Sequence, residues 1–104
     1  MTTARIKSGD TSVVFTDTLL INDVAINLTG ASVKFLLKDS AVSFSATATI
    51  VLASAGTVSY TVGAGFPAIA GQYNQEWEVT QSDATILTFP NAGYNRLVIF
   101  DDLN

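Results

Sequence analysis

The sequence predicts an all-β protein, an antiparallel β-sandwich of seven to eight strands in a single domain spanning residues 1–104. Three observations predict it. Apolar and polar residues alternate with a period of two in four segments between Ser32 and Thr80. Turn residues recur about every 8–12 positions, the spacing of a sandwich. The chain is rich in Thr, Ser and Val, while Glu and Lys are scarce. That balance favours strands over helices. No segment carries a helical period.

Taken in order, Arg5 to Lys7 reads as a short strand and Ser8-Gly9-Asp10 as a turn. Val13 to Leu20 is a longer strand, and Ile21-Asn22-Asp23 turns the chain. From Ser32 to Lys38, the residues Val33, Phe35 and Leu37 share one face, with Ser32, Lys34, Leu36 and Lys38 opposite. From Ser45 to Leu52, Ala46, Ala48, Ile50 and Leu52 alternate with Ser45, Thr47, Thr49 and Val51. From Thr57 to Val62, Val58, Tyr60 and Val62 alternate with Thr57, Ser59 and Thr61. A helix would scatter these residues around its circumference, whereas a strand sorts them onto two faces. Ser54-Ala55-Gly56 joins the last two segments as a hairpin. Gly63 to Gly71, with Pro67 inside it, is the longest connection and permits a crossover between sheets. From Gln72 to Thr80, Tyr73, Gln75, Trp77 and Val79 face one way. Gln81 to Ala84 turns the chain into Ile86 to Phe89. Pro90 ends that strand because it cannot donate to a ladder, and Asn95 to Phe100 is the last strand. The predicted core is Val33, Phe35, Leu37, Ile50, Val58, Tyr60, Tyr73, Trp77, Val79, Leu97 and Ile99.

Composition narrows function. There is no Cys and no His. Disulfides, thiolate metal sites and a Cys nucleophile are excluded, as are the commonest general base and metal ligand. A net charge of −4 opposes nucleic-acid binding, which shows a basic footprint. No stretch approaches the ~20 apolar residues of a membrane span, and residues Met1 to Ser12 lack the apolar core of a secretory signal. Charged residues make up 13% of the chain, about half the usual share, so much of the surface is hydroxylated rather than ionic. Neither an enzyme nor a cofactor is expected.

The ordered pieces carry a resemblance. They are Gly9-Asp10-Thr11, Asn27-Leu28-Thr29-Gly30-Ala31 before Val33-Lys34-Phe35, and Ala55-Gly56-Thr57-Val58-Ser59-Tyr60. Then come Ala70-Gly71-Gln72-Tyr73 leading to Glu76-Trp77-Glu78-Val79-Thr80, and Thr88-Phe89-Pro90-Asn91-Ala92-Gly93-Tyr94. Over most of its length the chain resembles the immunoglobulin-like domain of phage baseplate upper proteins and related small phage virion proteins. The resemblance implies an immunoglobulin-like sandwich in a virion structural protein made in the bacterial host cytoplasm. Its partners would be other virion subunits and copies of itself. One departure is Asp83-Ala84 where the family has Asp-Gly, so this hairpin is expected to be longer or of another type.

Within that frame Trp77 reads as a core anchor burying roughly 150–250 Å². Tyr73 sits where a tyrosine corner would, and Gln75 takes the place of the second Cys of an antibody domain. Glu76 and Glu78 share a face and read as solvated. Asp101-Asp102 with Asp10 or Asp23 falls short of a Ca²⁺ site, which needs six to eight oxygen ligands. From Ser40 to Gln75 no residue is charged, and charges are depleted where a surface is covered by neighbours. The predicted partner-binding residues are therefore Thr47, Thr49, Ser59 and Thr61 on the outer face of a hairpin, with Phe66 and Ile69 as apolar anchors beside them. The alternative is a carbohydrate-binding or host-adhesion module, for which Phe44, Phe66, Tyr94 and Phe100 would have to form a flat exposed platform.

Overall fold

A computed structural model describes residues 3–7, 13–39, 43–63, 66, 70–90 and 95–100. Eleven strands are seen among them: β1 (Thr3–Lys7), β2 (Val14–Thr18), β3 (Leu20–Ile21), β4 (Val24–Ala25), β5 (Ser32–Lys38), β6 (Ser43–Thr47), β7 (Thr49–Leu52), β8 (Thr57–Thr61), β9 (Gly71–Thr80), β10 (Ile86–Phe89) and β11 (Asn95–Phe100). The larger sheet has the order β1-β11-β9-β5-β6, with β10 extending it beside β9. The smaller sheet has the order β2-β8-β7. This is the strand order of an immunoglobulin-like sandwich. One pair departs from the antiparallel expectation: β1 runs parallel to β11.

The count exceeds seven or eight for two reasons. Leu20–Ile21 and Val24–Ala25 form their own two-residue ribbon. Asn22 and Asp23 turn it with φ of 52° and 65°, a conformation that Asn and Asp tolerate better than most residues. Secondly, the segment read as one strand from Ser45 to Leu52 is two. β6 pairs with β5 in the larger sheet, and β7 pairs with β8 in the smaller. The chain changes sheets at Ala48, whose N–H still donates to Val33 O at 2.8 Å. The small Ala48 side chain is buried at this corner, where strands that switch sheets bend.

Between the sheets lies one core. Val33, Phe35, Leu37, Val58, Tyr60, Tyr73, Trp77, Val79, Leu97 and Ile99 are all buried, as alternation predicts; Ile50 is half-buried. Leu19, Leu28, Ala48, Val62 and Phe89 complete it. Leu28 is fully excluded from solvent although it lies in a turn. Its N–H donates to Ala53 O at 2.9 Å, and the Asn27 side chain accepts from the Thr29 N–H beside it. Gly56 is required where it stands. Its φ is 65°, and a Cβ there would lie 2.9 Å from Ile26 O and 3.0 Å from Leu19 O.

The sheets are joined by aromatic packing and one polar link. Phe35 on β5 stacks on Tyr60 of β8 at 4.5 Å and on Phe15 of β2 at 5.2 Å. The Trp77 ring meets Phe35 edge-on at 5.2 Å, and its Nε1 donates to Asp17 Oδ2 on β2 at 3.1 Å. Antibody domains join the equivalent two strands by a disulfide. Gln75 does not take that bridging part. It stays within its own sheet, accepting from Asn95 Nδ2 at 3.0 Å and donating to Glu76 O at 2.9 Å.

The β9–β10 hairpin resolves the Asp83-Ala84 departure. Ala84 N–H donates to Gln81 O, and Gln81 N–H donates to Thr85 O. Ser82, Asp83 and Ala84 thus form a three-residue loop, longer than the two-residue type I′ turn. Its last residue, Ala84, has φ of 71°, a left-handed conformation that strains any residue with a Cβ. Hydrogen bonds from Thr85 hold the exposed Asp83 carboxyl below its ordinary pKa. Ala84→Gly should therefore stabilise the domain by about 0.5–1 kcal/mol, raising Tm by roughly 3–6 °C. Differential scanning calorimetry of the variant checks this, and an unchanged or lower Tm contradicts it.

Candidate functional site

The two outer faces of the sandwich differ in charge. On the larger sheet, Lys34, Lys38, Glu76, Glu78 and Arg96 alternate outward along β5, β9 and β11. Lys34 stands directly across from Glu78, and Lys38 across from Asn74. Glu76 and Glu78 are half-buried by these neighbours rather than fully solvated.

The smaller sheet has no charged side chain on its outer face among the described residues. Register assembles that face in rows. Val14 stands beside Thr61, Thr16 beside Ser59, and Thr18 beside Thr57. Ser59 is flanked in turn by Thr49, and Thr57 by Leu52. The centre is thus a block of six hydroxyl groups. Its margins are apolar: Val14 is 54% exposed, Leu52 55% and the bulged Val51 57%. A hydroxyl costs far less to desolvate than a charge, so this face can meet another protein surface closely.

Of the predicted partner residues, Thr49, Ser59 and Thr61 belong to this face. Thr47 is exposed but lies on β6, in the other sheet, because the chain crosses over at Ala48. Ile69 lies outside the described residues, as do Tyr94 and the Asp101-Asp102 pair. The sequence reading missed Val14, Thr16 and Thr18. The signal was present, since they occupy alternate positions of β2, but the pairing of β2 with β8 is what brings them beside Ser59.

Phe66 is half-buried rather than a free anchor. It packs against Phe15 at 6.3 Å, Tyr60 at 6.2 Å, Phe35 at 6.4 Å and Phe44 at 5.5 Å. Its ring stands at 72° to that of Phe44, so this pair closes one side of the core and offers no flat surface. Burial raises the Tyr60 hydroxyl above the ordinary tyrosine value of 10.0; burial and the Asp39 carboxylate raise that of Tyr73. Both are therefore neutral groups at physiological pH.

A cavity of about 110 Å³ opens where β2 passes over β9 and β11. Phe15, Thr16, Asp17, Gln75, Trp77, Asn95, Arg96 and Leu97 line it. Both carboxylate oxygens of Asp17 are already engaged, Oδ1 by the Thr18 N–H and Oδ2 by Trp77. No group of three or more acidic, His or Cys residues placed to hold a metal ion occurs among the described residues.

A scan against protein-family models finds no match to this chain, and a search of curated proteins finds none either.

Because Phe66 closes the core, Phe66→Asp should unfold the domain in part rather than act only at its surface. A carboxylate among four aromatic rings should cost at least ~2 kcal/mol. Urea denaturation measures this, and a midpoint equal to that of the parent protein would restore Phe66 as a surface anchor.

Proposed function

We propose that this protein is a virion structural subunit that acts by protein–protein assembly, docking through the outer face of its three-stranded sheet. The observation that carries the assembly reading is the segregation of charge. One face of the sandwich is ionic, while the other presents hydroxyl groups bordered by exposed Val14, Val51 and Leu52. Interfaces deplete charge at their centres in this way. The virion assignment rests on the sequence resemblance, and its partners are other virion subunits or copies of this chain. The face acts by close fit and exclusion of water, with no catalytic step.

The carbohydrate-binding reading needs a planar aromatic platform. Phe44 and Phe66 lie edge to face and pack on Tyr60, which favours assembly over sugar stacking.

Charge placed on the face tests the proposal. Thr49→Lys, on an exposed strand position, should leave the circular dichroism spectrum and Tm unchanged. It should reduce recovery of the protein in assembled particles about tenfold or more, since an unpaired charge desolvated in a contact is costly. Thr47→Lys, on the other sheet, should be incorporated normally. Normal incorporation of folded Thr49→Lys contradicts the proposed location.

A further inference from the structure

A strand at the edge of a sheet presents unpaired N–H and C=O groups that another chain can bond. Proteins protect such edges by keeping them short, by placing charge or Pro on them, by turning a charge inward, or by a bulge. Among the described residues, β1, β6 and β10 are edges of the larger sheet, and β2 and β7 of the smaller. Four of these are protected. β1 carries the exposed Arg5, and β2 turns Asp17 inward to Trp77. β7 bulges between Ile50 and Leu52, and β10 has only four residues and is followed by Pro90. β6 is not protected. Its five residues, Ser43-Phe44-Ser45-Ala46-Thr47, include no charge and no Pro, and they pair with β5 without a bulge.

The ladder fixes which backbone groups of β6 are open. Ala48 N–H donates to Val33 O at 2.8 Å. The register runs on from that pair as Lys34 with Thr47, Phe35 with Ala46 and Leu36 with Ser45. Bonded and unbonded pairs alternate in an antiparallel ladder. Phe44, Ala46 and Ala48 therefore bond to β5. The N–H and C=O groups of Ser43, Ser45 and Thr47 face outward with no described partner. The side chains alternate too: Ser43, Ser45 and Thr47 are exposed on the outer face, and Phe44 and Ala46 are half-buried on the inner one.

A second copy of the same strand matches this edge. Turned about a two-fold axis at Ser45, it lies antiparallel, with Ser43 opposite Thr47 and Ser45 opposite Ser45. Every outward N–H and C=O of both copies is then bonded. Phe44 falls opposite Ala46 in an unbonded pair, where side chains stand closest. A ring meets a methyl group at both such sites, and two half-buried residues complete their burial. A register shifted by two residues loses main-chain bonds and sets Phe44 against Phe44 or Ala46 against Ala46. Charge agrees with the symmetric register. Lys34 and Lys38 on β5 flank β6, and across the axis they stand three strand spacings apart, about 14 Å. That exceeds the ~8 Å screening length at physiological salt. The same operation on β1 would set Arg5 against Arg5, and like charges directly opposite are destabilising.

We propose that this protein pairs with a second copy of itself through β6, joining the two larger sheets into one continuous sheet across a two-fold axis at Ser45. The pairing goes beyond the sheet-face role and does not depend on it. It uses an edge of the larger sheet and leaves the outer face of the smaller sheet open to other subunits.

The contact is small, of the weak and reversible class. Sedimentation velocity of the full chain should show monomer giving way to dimer with a Kd of about 100 μM. Amide exchange at Ser43, Ser45 and Thr47 should slow as concentration rises, and exchange along β2 should not. Ser45→Pro removes an outward N–H and no bond to β5, so it should keep the circular dichroism spectrum and raise Kd at least about tenfold. Ser45→Lys sets like charges opposite each other on the axis and should weaken pairing without Pro. Ser43→Glu combined with Thr47→Lys sets opposite charges together at both ends and should tighten pairing about threefold or more. Thr47→Lys alone meets only Ser43 and should change Kd less than that. Monomer at about 1 mM, dimers that survive both Ser45 variants, or dimers abolished by Thr49→Lys instead overturn the proposal. These measurements read self-association alone, so failure here leaves incorporation through Thr49 and its neighbours to be judged in particles.

Discussion

Phe35 is the point on which both sheets close. It is fully excluded from solvent, and its ring touches Phe15 on β2, Tyr60 on β8 and Trp77 on β9. Four strands from two sheets are thereby held by one side chain. Aromatic pairs of this kind contribute about 0.5–1.5 kcal/mol each beyond the area they bury. In a chain without Cys, they share with the Trp77–Asp17 hydrogen bond the work that a disulfide does in antibody domains. That bond is also a constraint. It requires a carboxylate on the inner side of β2, and Asp17 is satisfied there by the Thr18 N–H as well as by the indole.

With cohesion supplied from inside, the outer faces are free to differ. The larger sheet carries charged side chains of both signs along β5, β9 and β11, with Lys34 across from Glu78, which keep that face hydrated. The smaller sheet presents small hydroxylated side chains on three strands, with apolar residues at its margins. A face of this kind loses little on leaving water and gains little by remaining in it. It is suited to a fixed neighbour, and the charged face to solvent.

Much of this was legible in the sequence, and the exceptions have physical causes. Ser32–Lys38 and Ile86–Phe89 were readable to the residue, because alternation and turn residues bound them on both sides. The break at Ala48 was not readable, because Ala46, Ala48 and Ile50 keep one alternating phase through the change of sheet. Leu28 was missed as core because it lies in a turn, where period carries no information. The Asp17–Trp77 link joins residues sixty positions apart, and no local pattern reveals it. The hydroxyl face was half legible: Thr49, Ser59 and Thr61 could be grouped from one hairpin, but Val14, Thr16 and Thr18 join them only through strand pairing. Phe66 misled because a Gly-rich connection reads as exposed, while its ring turns back onto the core.

Radical footprinting of the protein free in solution and within assembled particles measures the division of faces most directly. Labelling at Val14, Val51 and Leu52 should fall sharply on assembly, while the side chains of Lys34, Lys38 and Arg96 should keep their solution reactivity. Loss of reactivity on the charged sheet, with the three apolar side chains labelled as in solution, would contradict assembly through the uncharged face.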